Sequence, residues 1–192
     1  VDLRRPDKIV WVEVIGPEVG ISITPGHIVW KKRRPGKPDV SGLLKRISFA
    51  QMPYLGEGAR PMGVRIGRAA QAFELGELII TPHEPTDAAQ LLDFISGVLE
   101  GRESRLRVQE RTYAREVKPV PVKIQDLYQF VRDRGDEPLI ATDPTGLTLG
   151  EAEDEIIKLF KRRRRINILA GAREGLPKGI LRSVDLVLDL CP

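Results

Sequence analysis

A chain of 192 residues, 41% apolar and 30% charged, can bury a sizeable core and contains no apolar run long enough to cross a bilayer. Its opening, Val1-Asp-Leu-Arg-Arg-Pro-Asp-Lys8, lacks the apolar segment of a signal peptide, so a cytoplasmic location without membrane attachment is expected. The single cysteine, Cys191, excludes an intrachain disulfide, and His27 and His83 have no cysteine partners for a structural zinc site, so no metal is expected.

The net charge of +4 is modest, but Lys31-Lys-Arg-Arg34 and Lys161-Arg-Arg-Arg-Arg165 are blocks of one sign. Such blocks suit a polyanion such as RNA, and equally a solvated face. One asparagine, many arginines and 15 prolines resemble the composition of a thermophile.

Residues 1–40 are expected to form a small β-rich segment. Lys8 to Ile15 is β-branched and aromatic and closes at Gly16-Pro17; Gly20 to Thr24 and His27 to Trp30 would complete a meander. Residues 41–192 are expected to form the main domain. Arg46-Ile-Ser-Phe-Ala50 reads as its first strand, followed by a long Gly- and Pro-rich loop, Gln51 to Pro61, of the kind that often carries function.

Val64 to Leu75 has a helical pattern, capped by Gly76 before the strand Glu77 to Thr81. Thr86-Asp87 caps the next helix, whose stripe Ala88, Leu91, Leu92, Ile95, Val98 and Leu99 is expected to stop at Gly101. From Arg102 to Lys123 periodicity fails, and Ile124 to Arg134 is again helical. Pro138 to Thr142, Ile166 to Ala170 and Val184 to Leu190 are short apolar runs of the kind found in parallel strands. A helix is expected over Leu147 to Arg165, acidic at its start and basic at its end, the order that the helix dipole favours. That order is the structural explanation of Lys161 to Arg165, of equal standing with RNA contact. The fold class that follows is α/β, a mostly parallel sheet with helices on both faces.

Two loops stand at the carboxyl ends of these runs. Thr142-Asp-Pro-Thr-Gly146 offers amides, a hydroxyl and a carboxylate, and Gly171-Ala-Arg-Glu-Gly-Leu-Pro177 lets the backbone approach a flat ligand closely. Neither loop is a dinucleotide fingerprint or a Walker loop.

Four segments in order carry a resemblance: Ile66-Gly-Arg-Ala-Ala-Gln-Ala-Phe73 with the strand Leu78-Ile-Ile80; Pro138 to Gly146; Ile168 to Pro177; and Val187-Leu-Asp-Leu-Cys-Pro192. Together they resemble the SPOUT superfamily, trefoil-knotted RNA methyltransferases that use S-adenosylmethionine (AdoMet), and an archaeal-like member in particular. The resemblance implies an AdoMet-dependent enzyme acting on rRNA or tRNA, a homodimer, and a knot completed by a C-terminal helix expected beyond Pro192. It places the methyl donor on Thr142, Asp143, Gly146, Ala170, Gly171, Gly175, Leu176, Leu188 and Leu190, with the adenine on the leucines. Arg68 falls on the arginine that assists at the acceptor ribose in SpoU-type members, and Glu174 stands near the position of their glutamate. Met62 replaces the usual asparagine, so base methylation is open beside ribose methylation. RNA contact is expected from Lys161, Arg162, Arg163, Arg164, Arg165 and Arg173. The alternatives are a non-catalytic RNA-binding protein on the same scaffold and a structural or assembly protein.

Overall fold

The computed structural model describes residues 6–28, 38–113, 115–161 and 164–190. The chain divides into two compact units, Val1–Asp39 and Val40–Pro192. In the first, β1 (Lys8–Ile15) and β2 (Glu18–Pro25) pair antiparallel about the two-residue turn Gly16-Pro17. Gly16 takes φ +60° at the first turn position, where a side chain would be strained. A 3-10 turn follows at Gly26–Ile28 in place of the start of a third strand, and residues 29 and 30 lie outside the described residues. One hairpin face is apolar over three successive pairs: Val10, Val12 and Val14 stand opposite Ile23, Ile21 and Val19.

The second unit runs α1 (Ser41–Leu44), β3 (Ile47–Gln51), α2 (Ala59–Phe73), β4 (Glu77–Ile80), α3 (Ala88–Thr112), β5 (Val122–Ile124), α4 (Leu127–Asp133), β6 (Leu139–Thr148), α5 (Glu153–Lys161), β7 (Ile166–Ala170), α6 (Lys178–Leu181) and β8 (Leu186–Asp189). Its six strands form one sheet in the order β5-β4-β3-β7-β6-β8, with every neighbouring pair parallel. The strands are short and almost continuously apolar because both faces are covered. Leu78 and Ile80 pack with Ala70 of α2 and with Phe94 and Val98 of α3. Ile140 and Ile166 pack with Leu159 of α5. The alternate residues Ile79, Leu139, Ala141 and Leu169 pack with Leu127 and Phe130 of α4 and Ile180 of α6. Alternation along each strand therefore puts helices on both faces, as the fold class requires.

Three local expectations are corrected. First, α3 continues past Gly101 to Thr112, because that glycine is a contact point and not a stop. A Cβ on Gly101 would lie 2.0 Å from the Val64 carbonyl oxygen, and one on Gly97 2.2 Å from that of Arg60. Gly63 and Gly67 of α2 reciprocate against Phe94 and Val98. Four glycines, spaced by four on each helix, thus bring the two backbones together. Second, β5 forms within the stretch that lacks periodicity, pairing with β4 after Pro119 and Pro121. Third, residues 147 and 148 belong to β6, and the following helix begins at Glu153.

At the amino ends of the strands Glu77, almost fully buried, accepts from Arg134 (3.0 Å) and Lys123 (2.8 Å) and forms an ion pair with Arg165 (3.2 Å). Burial works to raise this carboxyl, but the Lys123 hydrogen bond and the charges of Arg134 and Lys123 together outweigh it and hold its pKa below the ordinary 4.5. Glu77→Gln should therefore cost roughly 2 kcal/mol at neutral pH by leaving the cations unbalanced. Because the folded pKa is depressed, this stabilisation is full above the unfolded carboxyl's value and drains as pH falls through the folded one. Urea melts across the acid range should show a shallower pH dependence for the variant; parallel curves would remove Glu77 from this role.

Candidate active site

All six strands of the main sheet run the same way, so the loops that follow β3, β4, β6, β7 and β8 emerge on one edge. Within β6 the pairing with β8 is interrupted: Thr142 and Leu147 both stand opposite Leu188, and the four residues between them arch out of the sheet. The base of the arch is tight, since a Cβ on Gly146 would lie 2.6 Å from the Val187 carbonyl carbon and 2.7 Å from the Leu188 nitrogen. Asp143 closes the arch, its Oδ1 accepting from the Thr145 hydroxyl (2.6 Å) and the Thr145 amide (2.9 Å). Those two bonds hold the Asp143 carboxyl below its ordinary 3.8, so it is ionised at neutral pH.

The loop after β7 is a closed turn. Ala172 and Gly175 bridge antiparallel, and Gly175 takes φ +75°. A Cβ on Gly171 would lie 2.5 Å from the Gly175 carbonyl carbon. The two loops are neighbours: Asp143 Oδ2 is 3.7 Å from where a Gly175 side chain would begin. Thr142 donates to the Leu169 carbonyl (3.1 Å), tying the arch to β7.

Sequence reasoning missed the residue that anchors this turn from below. Gln51, 5% exposed at the end of β3, donates through Nε2 to the carbonyls of Gly171 (2.8 Å) and Met52 (3.0 Å). Its one signal was an amide ending a strand that is mostly apolar. Beside the turn lies a crevice of about 320 Å³, walled by residues 52–55 after β3, 82–86 after β4 and 172–174 after β7. It presents the Tyr54 ring, His83, Glu84, Arg173 and Glu174; His83 Nε2 stands 3.4 Å from Glu84 Oε1.

The structure thus gathers Thr142, Asp143, Gly146, Ala170, Gly171, Gly175 and Leu188 at one edge, with Arg173 and Glu174 on the rim of the adjoining crevice. Arg173 is fixed there by donating to the Glu57 carbonyl. The leucines do not converge on one slot. Leu176 packs in the core on one face of the sheet, Leu188 in the core on the other, and Leu190 is 52% exposed.

Arg68 is not brought to this edge. It stands ten residues beyond Gly58 on α2, which runs away from the loops, so it is about 15 Å further along the axis, and its Nη2 donates to Ser104. The basic block lies at the opposite edge. Lys161 ends α5, Arg164 donates to the Asp136 carbonyl, and Arg165 pairs with Glu77; Arg162 and Arg163 lie outside the described residues.

A family model described as AF2226-like SPOUT RNA methylase fused to THUMP matches residues 41–192. The chain belongs to this family. Over its whole length it is 46% identical, across 196 residues, to the uncharacterised protein MJ0421 of Methanocaldococcus jannaschii, of which it covers 54%. The chain therefore spans about half the length of that curated relative. Among solved structures, a methylase-family protein from Neisseria gonorrhoeae superposes with a TM-score of 0.50 at 15% identity, covering 83% of this chain and 76% of that one. The SpoU methyltransferase AviRb from Streptomyces viridochromogenes, solved in complex with AdoMet, gives 0.46 at 16% identity, covering 76% and 48%. The parallel-sheet α/β fold of this family member is similar to that of SPOUT methyltransferases.

Proposed function

We propose that this member of the SPOUT RNA methylase family transfers a methyl group from AdoMet to rRNA or tRNA, with the donor on the loops after β6, β7 and β8. The observation that carries the reading is the meeting of the loops after β6 and β7 beside β8, with Gly146 against the β8 backbone and Gly175 beside Asp143. The residues present fit such a donor. Glycines keep the backbone open to a flat ring, and an ionised carboxylate suits ribose hydroxyls or an ammonium group. When bound, AdoMet supplies an electrophilic methyl on a sulfonium.

The remaining work falls to the chain. The turn held by Gln51 orients the donor loop, and the crevice admits one nucleotide against Tyr54, so that positioning supplies much of the acceleration. His83, Glu84 and Glu174 are the groups on the crevice wall able to accept a proton from the attacking atom. The trefoil knot and the homodimer belong to the same proposal, as does action in the cytoplasm.

Calorimetric titration with AdoMet and transfer of a radiolabelled methyl into bulk tRNA and rRNA test the reading. Saturable binding and RNA-associated label are expected. If AdoMet does not bind, the enzyme reading is lost and a non-catalytic RNA-binding role takes its place.

A further inference from the structure

The close approach of α2 and α3 leaves a trough, about 480 Å³ in volume and separate from the crevice. Its floor is small and apolar, Ala69 and Ala72, and its walls carry Arg65 and Arg68 from α2 and Ser104 and Arg105 from α3. Positions 65, 68, 69 and 72 form one stripe of a helix, so the two α2 guanidiniums point along the same groove.

The arginines of the trough differ in pairing from two neighbours on the same helices. Arg60 is paired with Glu100 (3.0 Å) and Arg107 with Glu103 (3.2 Å), as solvated helix arginines commonly are. Among the described residues no carboxylate lies within ion-pair distance of Arg65, Arg68 or Arg105. Arg68 meets only the neutral Ser104 hydroxyl, at 3.2 Å. The Arg105 Nε is buried and makes no hydrogen bond, an orphan donor of the kind that calls for an acceptor. Guanidiniums lacking carboxylates along one groove suit an anionic ligand that presents several phosphates.

We propose that this trough binds the sugar–phosphate backbone of the RNA whose nucleotide enters the crevice. The inference rests on the reading of RNA as the acceptor. The route is short: α2 begins at Gly58 beside Arg173 on the crevice rim, and Arg65 follows about 10 Å along the helix axis. The RNA contacts therefore lie on α2 and α3, and the Lys161 to Arg165 block, with Arg164 and Arg165 engaged in holding the sheet, is secondary.

The test is anisotropy titration of the whole chain with fluorescein-labelled bulk tRNA over a series of salt concentrations, with AdoMet affinity measured in parallel. Arg65→Gln/Arg68→Gln, at exposed positions, should weaken tRNA binding about tenfold or more and lower the slope of log affinity against log salt by about one per arginine removed. AdoMet affinity and the melting temperature should not move. Adding Arg105→Gln should deepen the loss, while Arg60→Gln and Arg107→Gln, whose side chains are already paired, should leave binding unchanged. Unaltered affinity and slope in the double variant would overturn the proposal. Salt-independent binding by the parent would do the same, as would polyglutamate competing as well as tRNA, which would assign the trough to an acidic protein. A parent that binds tRNA through these arginines but does not bind AdoMet would uphold the trough and remove only the methyl-transfer reading.

Discussion

Gly171→Val should lower AdoMet affinity by roughly a hundredfold, about 2.7 kcal/mol, while leaving the fold in place. A Cβ there would meet the Gly175 carbonyl carbon at 2.5 Å, the Gly175 Cα at 2.7 Å and the Leu176 nitrogen at 2.8 Å. All three are backbone atoms, so no rotamer change relieves the clash and the turn itself must open. Its two ends cannot follow, because Ala170 is paired in β7 and Leu176 is buried in the core. The distortion is therefore confined to residues 171–175, where Arg173 and Glu174 are exposed and little apolar area is at stake. Calorimetry on the variant, with a urea melt to show that stability has moved by no more than about 1 kcal/mol, checks both halves of the statement. Unchanged affinity in a folded variant would place the donor elsewhere.

Gly67→Ala is expected to destabilise the protein by about 3 kcal/mol, and Gly67→Leu to prevent it from folding. Helix propensity alone gives the opposite sign, since alanine in a helix interior is better than glycine by about 1 kcal/mol. The contact decides. A Cβ on Gly67 would lie 2.0 Å from the Val98 carbonyl oxygen and 2.8 Å from its carbon, so the whole of α3 must retreat from α2. That retreat would loosen Phe94 and Val98, both fully buried over β4. Gly179→Ala is the control: nothing lies within 4 Å of its Cβ position in α6, and the propensity gain should appear unopposed. Urea midpoints that rise for both variants would mean that the two helices are not in backbone contact.

Gly171 and Gly101 show how far local pattern carries. Gly171 was identifiable in the sequence, because a glycine directly after a five-residue apolar run marks a strand end that must turn at once. Gly101 was misread by the same logic. In isolation a glycine ending an apolar stripe is a helix stop, and only the position of Val64 on another helix turns it into a contact. The cap at Asp87 was legible because its partner, the Gln90 amide, is three residues away. The end of β6 was not. Residues 147 and 148 are strand because Leu188 and Asp189 lie alongside them, some forty positions later.

The same distinction separates the parts of the site. Sequence reading placed the two glycine-bounded loops, yet it could not supply Gln51, whose hydrogen bond reaches Gly171 across 120 positions. Nor could it separate Arg68 from the donor loops, because the direction in which α2 leaves the sheet edge depends on how it packs. The basic run 161–165 was visible as charge, while the commitment of Arg165 to Glu77 was not.

By itself, then, the sequence determined the α/β class, the principal strands and helices of the main unit and the two loops that bear the proposed chemistry. Periodicity, capping and turn residues act over a few positions and are written locally. Tertiary structure decided the rest: the strand order with β3 beside β7, the meeting of Gly146 with Leu188 and of Gly175 with Asp143, and the edge on which each arginine stands. Those outcomes depend on pairings between residues far apart in the chain, which packing selects and no local pattern records.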